Sequence, residues 1–90
     1  MATALFSLGD TAITRNAMDD LHPEDVKIRL ARHAKGDWGD LGEGDLKSNE
    51  IALAQGLRLL SAYVDRNGIR FWIITEADRT VTTVLLPDDY

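Results

Sequence analysis

The stretch that decides the fold class is LRLLSAYVDRNGIRFWIITEADRTVTTVLLP, residues 57–87. It contains three segments rich in β-branched and aromatic residues, which are typical of strands. Asn67-Gly68 separates the first two segments, and these residues tolerate the positive φ of a two-residue hairpin turn. Ala77-Asp78 marks a second turn. Because short turns join antiparallel neighbours, the stretch predicts a three-stranded antiparallel meander.

Both faces of this meander are apolar. The two faces alternate along each strand: Leu59, Ser61 and Tyr63 against Leu60, Ala62 and Val64, then Phe71 and Ile73 against Trp72 and Ile74, then Val81, Thr83 and Leu85 against Thr82, Val84 and Leu86. Helices packed on one face leave the other partly apolar. We expect the N-terminal segment or a partner chain to cover that second face.

Two helices are predicted before the meander. The first covers residues 23–35, because Pro23 suits the first helical position and Gly36 suits the stop. The second covers residues 43–56. Asn49 lies beside its apolar stripe and needs hydrogen-bond partners, since an unsatisfied buried polar group costs about 1–3 kcal/mol.

The N-terminal stretch FSLGDTAIT predicts a first strand or extended segment, and Thr14 is placed to cap a short helical turn after it. No repeat or long linker divides the chain. We therefore predict one α+β domain over residues 1–90, in which two main helices pack on the C-terminal meander.

The composition excludes several classes of function. The chain has no cysteine, so disulfides, thiolate nucleophiles and cysteine-based zinc sites are excluded. Ten Lys and Arg against fifteen Asp and Glu give a net charge of −5, which disfavours nucleic acid as a partner. No apolar run is long enough for a signal peptide or a membrane span, so we expect a cytoplasmic location and no membrane contact.

The corner RHAKGDWGDLGEGD, residues 32–45, contains carboxylates spaced by glycines. Its spacing does not match an EF-hand loop, so we predict neither a metal site nor a cofactor. We expect the glycines to form a turn, Asp40 or Asp45 to cap the second helix, and Trp38 to pack in the corner. Nucleophile-elbow and phosphate-loop motifs do not occur in the sequence.

His33 is the residue best suited to acid/base chemistry, and it falls on or beside the apolar stripe of the first main helix. A ribonuclease would combine His33 with Arg29, Arg32 or Arg58 for proton transfer and charge stabilisation. A hydroxyl would come from Thr82, Tyr63 or Tyr90. The order of helices and sheet resembles small bacterial toxin nucleases of the barnase, colicin and RelE-like type, although such toxins are usually basic. The helix stripe favours a structural role for His33, and the ribonuclease is the alternative.

The segments LARHAKGDWGDL, RLLSAY and FWIITEADRTVTTVLLP, with the closing DDY, resemble a family of small bacterial proteins of plasmids and mobile elements. Members carry labels such as plasmid-related protein or type I restriction methyltransferase subunit. The resemblance implies no mechanism. The sequence lacks the Gly-rich loop and the Asn/Asp-Pro-Pro-aromatic motif of a methyltransferase, so that activity is rejected.

The sequence favours a non-enzymatic interaction protein of mobile-element origin that binds another macromolecule, with a protein as the expected partner. A homodimer is left open, and an acidic mimic of nucleic acid ranks last because the acids are scattered. We expect an exposed patch containing Trp38, Trp72 or Tyr90. The candidate binding residues are Asp37, Trp38, Asp40, Asn49, Trp72 and Tyr90.

Overall fold

The chain forms a short N-terminal strand, then three helices, and then three further strands. The computed structural model describes residues 4–90. In chain order the elements are β1 (Asp10–Ile13), α1 (Arg15–Asp20), α2 (Pro23–Ala34), α3 (Glu43–Gln55), β2 (Leu59–Val64), β3 (Arg70–Thr75), β4 (Val81–Leu85) and a 3₁₀ helix (Pro87–Asp89). The chain therefore has the predicted α+β class, and both main helices lie at the predicted positions.

The sheet differs from the predicted three-stranded meander because it contains a fourth strand. Its order is β1-β4-β3-β2, with β1 parallel to β4 and the other pairs antiparallel. The three C-terminal strands do follow one another as a meander. β1 extends the sheet sideways instead of covering its apolar face, which corrects the expectation for the N-terminal segment. Parallel pairing between distant segments has no turn signal in the sequence.

The two hairpin turns share one conformation. Gly68 N–H donates to the Asp65 carbonyl at 3.0 Å, and Gly68 has a φ of 81°. In the second turn Arg79 N–H donates to the Glu76 carbonyl at 2.9 Å, and Arg79 has a φ of 61°. Each turn therefore has its left-handed residue in the last position, which is the arrangement of a type I turn with a bulge. The hairpin is present, but the prediction that Asn67 and Gly68 form a two-residue turn is wrong, because Gly68 is the last residue of the turn.

The inner face of the sheet carries the main core. α1 and α2 cover Tyr63, Phe71, Ile73 and Val84, and Ala17 and Leu21 complete the buried cluster. α2 begins as predicted, with Pro23 in its first turn and with His22 Nδ1 accepting from Glu24 N–H at 3.2 Å. Thr14 caps α1 as predicted, accepting from the N–H of Ala17.

α3 packs beside β2 through a second cluster formed by Trp38, Ala52 and Leu59. The helix ends at Gln55, and Gly56 follows as the C-cap with a φ of 69°. Its N-cap is Gly42, which makes no side-chain hydrogen bond, so the predicted capping by Asp40 or Asp45 is wrong. Asp40 lies two residues before the N-cap, and Asp45 lies within the first turn of the helix.

The corner before α3 runs along the outer edge of β2. Ala62 N–H donates to the Trp38 carbonyl at 3.1 Å, and Asp40 N–H donates to the Ala62 carbonyl at 2.7 Å. Gly39 lies between them with a φ of 73°, and a Cβ atom there would overlap the Ala62 carbonyl and the ring of Tyr63. The close approach of two backbones therefore requires glycine at this position.

Among the described residues, 4–90, no helix is long and apolar enough to cross a membrane.

Candidate functional site

His33 lies in the core with 0% of its surface exposed. Its Nδ1 is 2.5 Å from Ser61 Oγ, and its Nε2 is 2.8 Å from Thr75 Oγ1. The rings of Phe6 and Trp38 pack edge-to-face with its ring, at centroid distances of 5.3 Å and 5.5 Å. Both ring nitrogens are therefore engaged, and neither faces solvent.

A chain of hydroxyl groups determines which nitrogen of His33 carries the proton. The Thr82 hydroxyl donates to the Leu8 carbonyl at 2.7 Å, so its oxygen accepts from Thr75, 2.7 Å away. Thr75 has one proton, which this bond uses, so Thr75 Oγ1 accepts from His33 Nε2–H. Nδ1 is left to accept from Ser61. The network thus holds a neutral imidazole with its proton on Nε2.

Arg79 adds a charge near this network. Its guanidinium donates to the carbonyls of Leu57 at 2.6 Å and Ala52 at 3.2 Å, so it satisfies the C-terminal end of α3. It also lies over the ring of Phe6, 5.6 Å from the centroid. Burial, and after it the charge of Arg79, lowers the pKa of His33 from 6.5 to about 4. The lowered pKa favours an uncharged imidazole at neutral pH.

The arginines proposed for a ribonuclease do not converge on His33. Arg29 donates to a backbone carbonyl of β2 at 3.3 Å. Arg32 forms a bidentate pair with Asp37, with donor–acceptor distances of 2.6 Å and 3.1 Å. Arg58 lies on the outer face of the sheet. The open cleft that this activity needs is therefore not assembled around His33.

Two of the predicted binding residues have structural roles. Asn49 is 4% exposed, and its side chain donates to the Leu60 carbonyl at 2.5 Å and accepts from Leu60 N–H at 3.1 Å. It thereby pairs with the edge of β2 as a neighbouring strand would. Trp38 is 7% exposed and stacks on Phe6 at 6.0 Å. Neither residue belongs to an exposed binding surface, which corrects that part of the site prediction.

The acidic corner is an exposed turn held by local bonds. Asp37 pairs with Arg32, and this hydrogen bond lowers the pKa of the Asp37 carboxyl below its ordinary value. Tyr63 donates its hydroxyl to the Asp37 carbonyl, and burial raises the pKa of Tyr63 to about 12. Asp40 is exposed and contributes its backbone to the β2 edge. Among residues 4–90, no three His, Asp or Glu side chains cluster in a way that could hold a metal ion.

The outer face of the sheet contains a pocket of about 360 Å³. Five side chains line it: Arg58, Leu60, Trp72, Ile74 and Tyr90. They come together because alternate residues of β2 and β3 point to this face, and Leu60 lies directly opposite Ile74 in the register. α1 and α2 pack on the other face of the sheet, so neither helix covers the pocket.

Tyr90 forms one wall of this pocket and is 66% exposed. Its ring meets Trp72 edge-to-face at a centroid distance of 5.8 Å. Arg58 donates to the Tyr90 hydroxyl at 2.9 Å, and its guanidinium lies 5.2 Å from the Tyr90 ring centroid. Glu76 Oε2 lies 3.9 Å from Arg58 Nε. The pocket is therefore apolar at its base, with one cation and one hydroxyl at its rim.

The 3₁₀ helix holds Tyr90 over the sheet. Asp89 accepts hydrogen bonds from the Thr14 hydroxyl at 2.6 Å and from the Asn16 amide at 2.8 Å. It also accepts from Leu86 N–H at 3.0 Å. These bonds, led by that from Thr14, lower the pKa of the Asp89 carboxyl. The anchored turn directs the following residue back across the outer face.

The structure thus brings together Trp72 and Tyr90, two of the predicted binding residues. Sequence reasoning missed the roles of Leu60 and Ile74, and it assigned Arg58 only to a ribonuclease. Strand alternation placed Leu60 on one face of β2 and Trp72 with Ile74 on one face of β3, and the register of the two strands then brings these faces together. The lining of the pocket is mostly apolar and aromatic, and Arg58 and the Tyr90 hydroxyl supply its polar groups.

No family model, curated relative or solved structure matches the chain.

Proposed function

We propose that this protein is a non-enzymatic interaction module that binds a protein partner through the outer face of its sheet. The observation that carries the proposal is the open pocket between Trp72 and Tyr90, with Arg58 at its rim. Trp, Tyr and Arg are the residue types that dominate the binding energy of protein interfaces. In keeping with the resemblance noted in the sequence, we propose a cytoplasmic accessory role on a mobile element.

The pocket favours a partner that inserts an apolar or aromatic side chain. Leu60 and Ile74 supply the apolar base, and Trp72 and Tyr90 supply walls that keep their shape at low cost in conformational entropy. Arg58 is shared between the Tyr90 hydroxyl and Glu76. An acceptor on the partner can therefore use a guanidinium N–H beside the pocket.

The ribonuclease alternative has less support. His33 is neutral and enclosed, and the arginines considered for it are engaged elsewhere. The net charge of −5 also opposes attraction to a nucleic-acid backbone. A protein partner is therefore the better supported proposal.

The experiment is affinity purification from the native host with three tagged chains: the wild type, Tyr90→Ala and the control Ile51→Ala. Ile51 lies on α3, away from the pocket, and is 51% exposed, so its variant matches the loss of an exposed apolar side chain. We expect a partner that is retained by the wild type and the control and lost by Tyr90→Ala. Truncation of a hot-spot tyrosine should weaken the Kd by about 30-fold, corresponding to about 2 kcal/mol.

A second measurement tests the pocket directly. 8-Anilinonaphthalene-1-sulfonate combines aromatic rings with an anion, and we expect it to shift the amide resonances of Leu60, Trp72 and Ile74 in the wild type. The shifts should be smaller in Arg58→Ala. Identical partners for all three tagged chains, together with no shift at the pocket, would refute the proposal. Recovery of RNA by the wild type, lost in a His33→Ala chain that remains folded, would favour the nuclease.

A further inference from the structure

The two edge strands of the sheet differ in how their outward backbone groups are covered. The outer edge of β2 is covered by the Asn49 amide, by the backbone of residues 38–40 and by the Arg29 guanidinium. The outer edge of β1 has no such cover among residues 4–90. Folded proteins usually protect edge strands, because a row of unpaired backbone groups is a template for another strand. The outward backbone groups of β1 are therefore available for pairing with another strand.

The register with β4 shows which backbone groups of β1 face outward. Asp10 N–H donates to the Thr80 carbonyl at 2.9 Å, and Thr14 N–H donates to the Val84 carbonyl at 3.0 Å. In a parallel pair alternate residues bond to one neighbour, so the even-numbered residues of β1 face β4. Thr11 and Ile13 consequently present their N–H and C=O groups to the opposite side.

We propose that a second copy of this chain occupies this edge, with its β1 antiparallel to the first. The outward N–H and C=O groups of one copy must pair with the outward groups of the other. The register that uses those of Thr11 and Ile13 therefore places Thr11 of each copy opposite Ile13 of the other. The two-fold axis then passes between the two Ala12 residues. This register makes about four backbone hydrogen bonds. The small Ala12 side chains can face each other at the axis without overlap.

The flanking charges are complementary in this register. Asp10 of one copy lies opposite Thr14 of the other, so it is within one residue position of Arg15. Asp10 and Arg15 are both exposed, and neither takes part in an ion pair among residues 4–90. The two-fold axis produces this pairing twice. Thr11 and Ile13 meet as a β-branched cross-strand pair on the helix-covered side.

The dimer joins two four-stranded sheets into one continuous sheet. A two-fold axis perpendicular to the sheet keeps both outer faces on the same side. The contact is small, so we expect a weak dimer with a Kd in the range of about 10 μM to 1 mM. The pockets at Tyr90 remain open, so the dimer does not depend on the function proposed for them.

Sedimentation equilibrium at low salt, over protein concentrations that bracket this range, tests the proposal. Thr11→Pro removes an outward N–H and leaves the bonds from β1 to β4 in place. We expect it to weaken the dimer at least tenfold while the circular dichroism spectrum is unchanged. Asp10→Arg and Arg15→Asp should each weaken it about tenfold, and the two together should restore it. Glu50→Arg, an exposed charge reversal on α3, is the control.

Restoration by the double charge reversal cannot result from a general loss of stability, so it identifies this register even if Thr11→Pro unfolds. A protein that is monomeric at 1 mM would overturn the proposal. A dimer that none of the β1 variants affects would also overturn it, because it would place the contact elsewhere. Pairing of β1 with a strand from another protein, with no self-association, would show that the edge is used by a different partner and would overturn the second copy as its occupant.

Discussion

Lowering the pH from 7 to about 4 should destabilise the protein through His33. The pKa of this residue is 6.5 in its ordinary state and about 4 in the fold, because burial and then Arg79 disfavour the charged imidazole. A lowered folded-state pKa means that the unfolded chain binds the extra proton first. The stabilisation is therefore complete above pH 6.5 and is lost as the pH falls from 6.5 to 4. Each pH unit of difference between the two pKa values corresponds to about 1.4 kcal/mol, so the loss is about 3 kcal/mol.

Urea unfolding at pH 7.5, 6.5, 5.5 and 4.5 measures this loss. We expect the free energy of unfolding to decrease across the series for the wild type and for the control His22→Asn, which retains His33. For His33→Gln the free energy of unfolding should be lower at pH 7.5 and should then change little across the same pH series. Carboxylates with lowered pKa values lose their contribution to the free energy of unfolding below about pH 4. Asp25 is an example, since its pKa is lowered to about 2, chiefly by the Arg66 side-chain hydrogen bond.

The nitrogen resonances of the imidazole provide an independent check. The hydroxyl chain through Thr75 and Thr82 requires the proton on Nε2, so ¹⁵N spectra at pH 7 should show a neutral Nε2–H tautomer for His33. A proton on Nδ1, or titration of His33 near pH 6.5, would refute the reasoning. Equal pH dependence of unfolding in the wild type and His33→Gln would refute it as well.

Two further substitutions test the contacts of α3. Asn49→Ala should lower the free energy of unfolding by about 2–3 kcal/mol, because both backbone groups of Leu60 lose their partner. Urea unfolding measures this loss. The control Ser48→Ala, on the exposed side of the helix, should change the free energy of unfolding by less than about 0.5 kcal/mol. Arg79→Ala and Arg79→Gly both remove the guanidinium, but only glycine relieves the positive φ. The glycine variant should therefore be more stable than the alanine variant by about 1 kcal/mol in the same assay, and equal stabilities would exclude strain at this position.

The helices could be predicted because their ends are marked locally. Pro23 and the residues around it begin α2, and glycines 36 and 56 follow the ends of α2 and α3 with positive φ values. The same local logic placed His33 on the core side of α2. It also showed that Asn49 needed a partner, and the structure identifies that partner as the backbone of Leu60.

Part of the candidate site could be predicted in the same way. Strand alternation placed Trp72 and Ile74 together on one face of their strand, and Trp72 and Tyr90 were expected in an exposed patch. Trp38 and Asn49 were also predicted as binding residues, although Trp38 was expected to pack in the corner and Asn49 to need hydrogen-bond partners. Their burial depends on how α3 and the corner pack against β2.

The sequence by itself determined the class of the fold, the positions of α2 and α3, the alternation of the strands and the absence of cysteine chemistry. These properties depend on residues that are near one another in the chain, where turn, capping and periodicity signals act. Tertiary structure alone decided that β1 pairs with β4, that His33 ends a chain of hydroxyl groups, and that Arg58 and Tyr90 enclose a pocket with Trp72. Each of these contacts joins segments that are distant in the chain, so it depends on the packing of the whole domain and has no local signature.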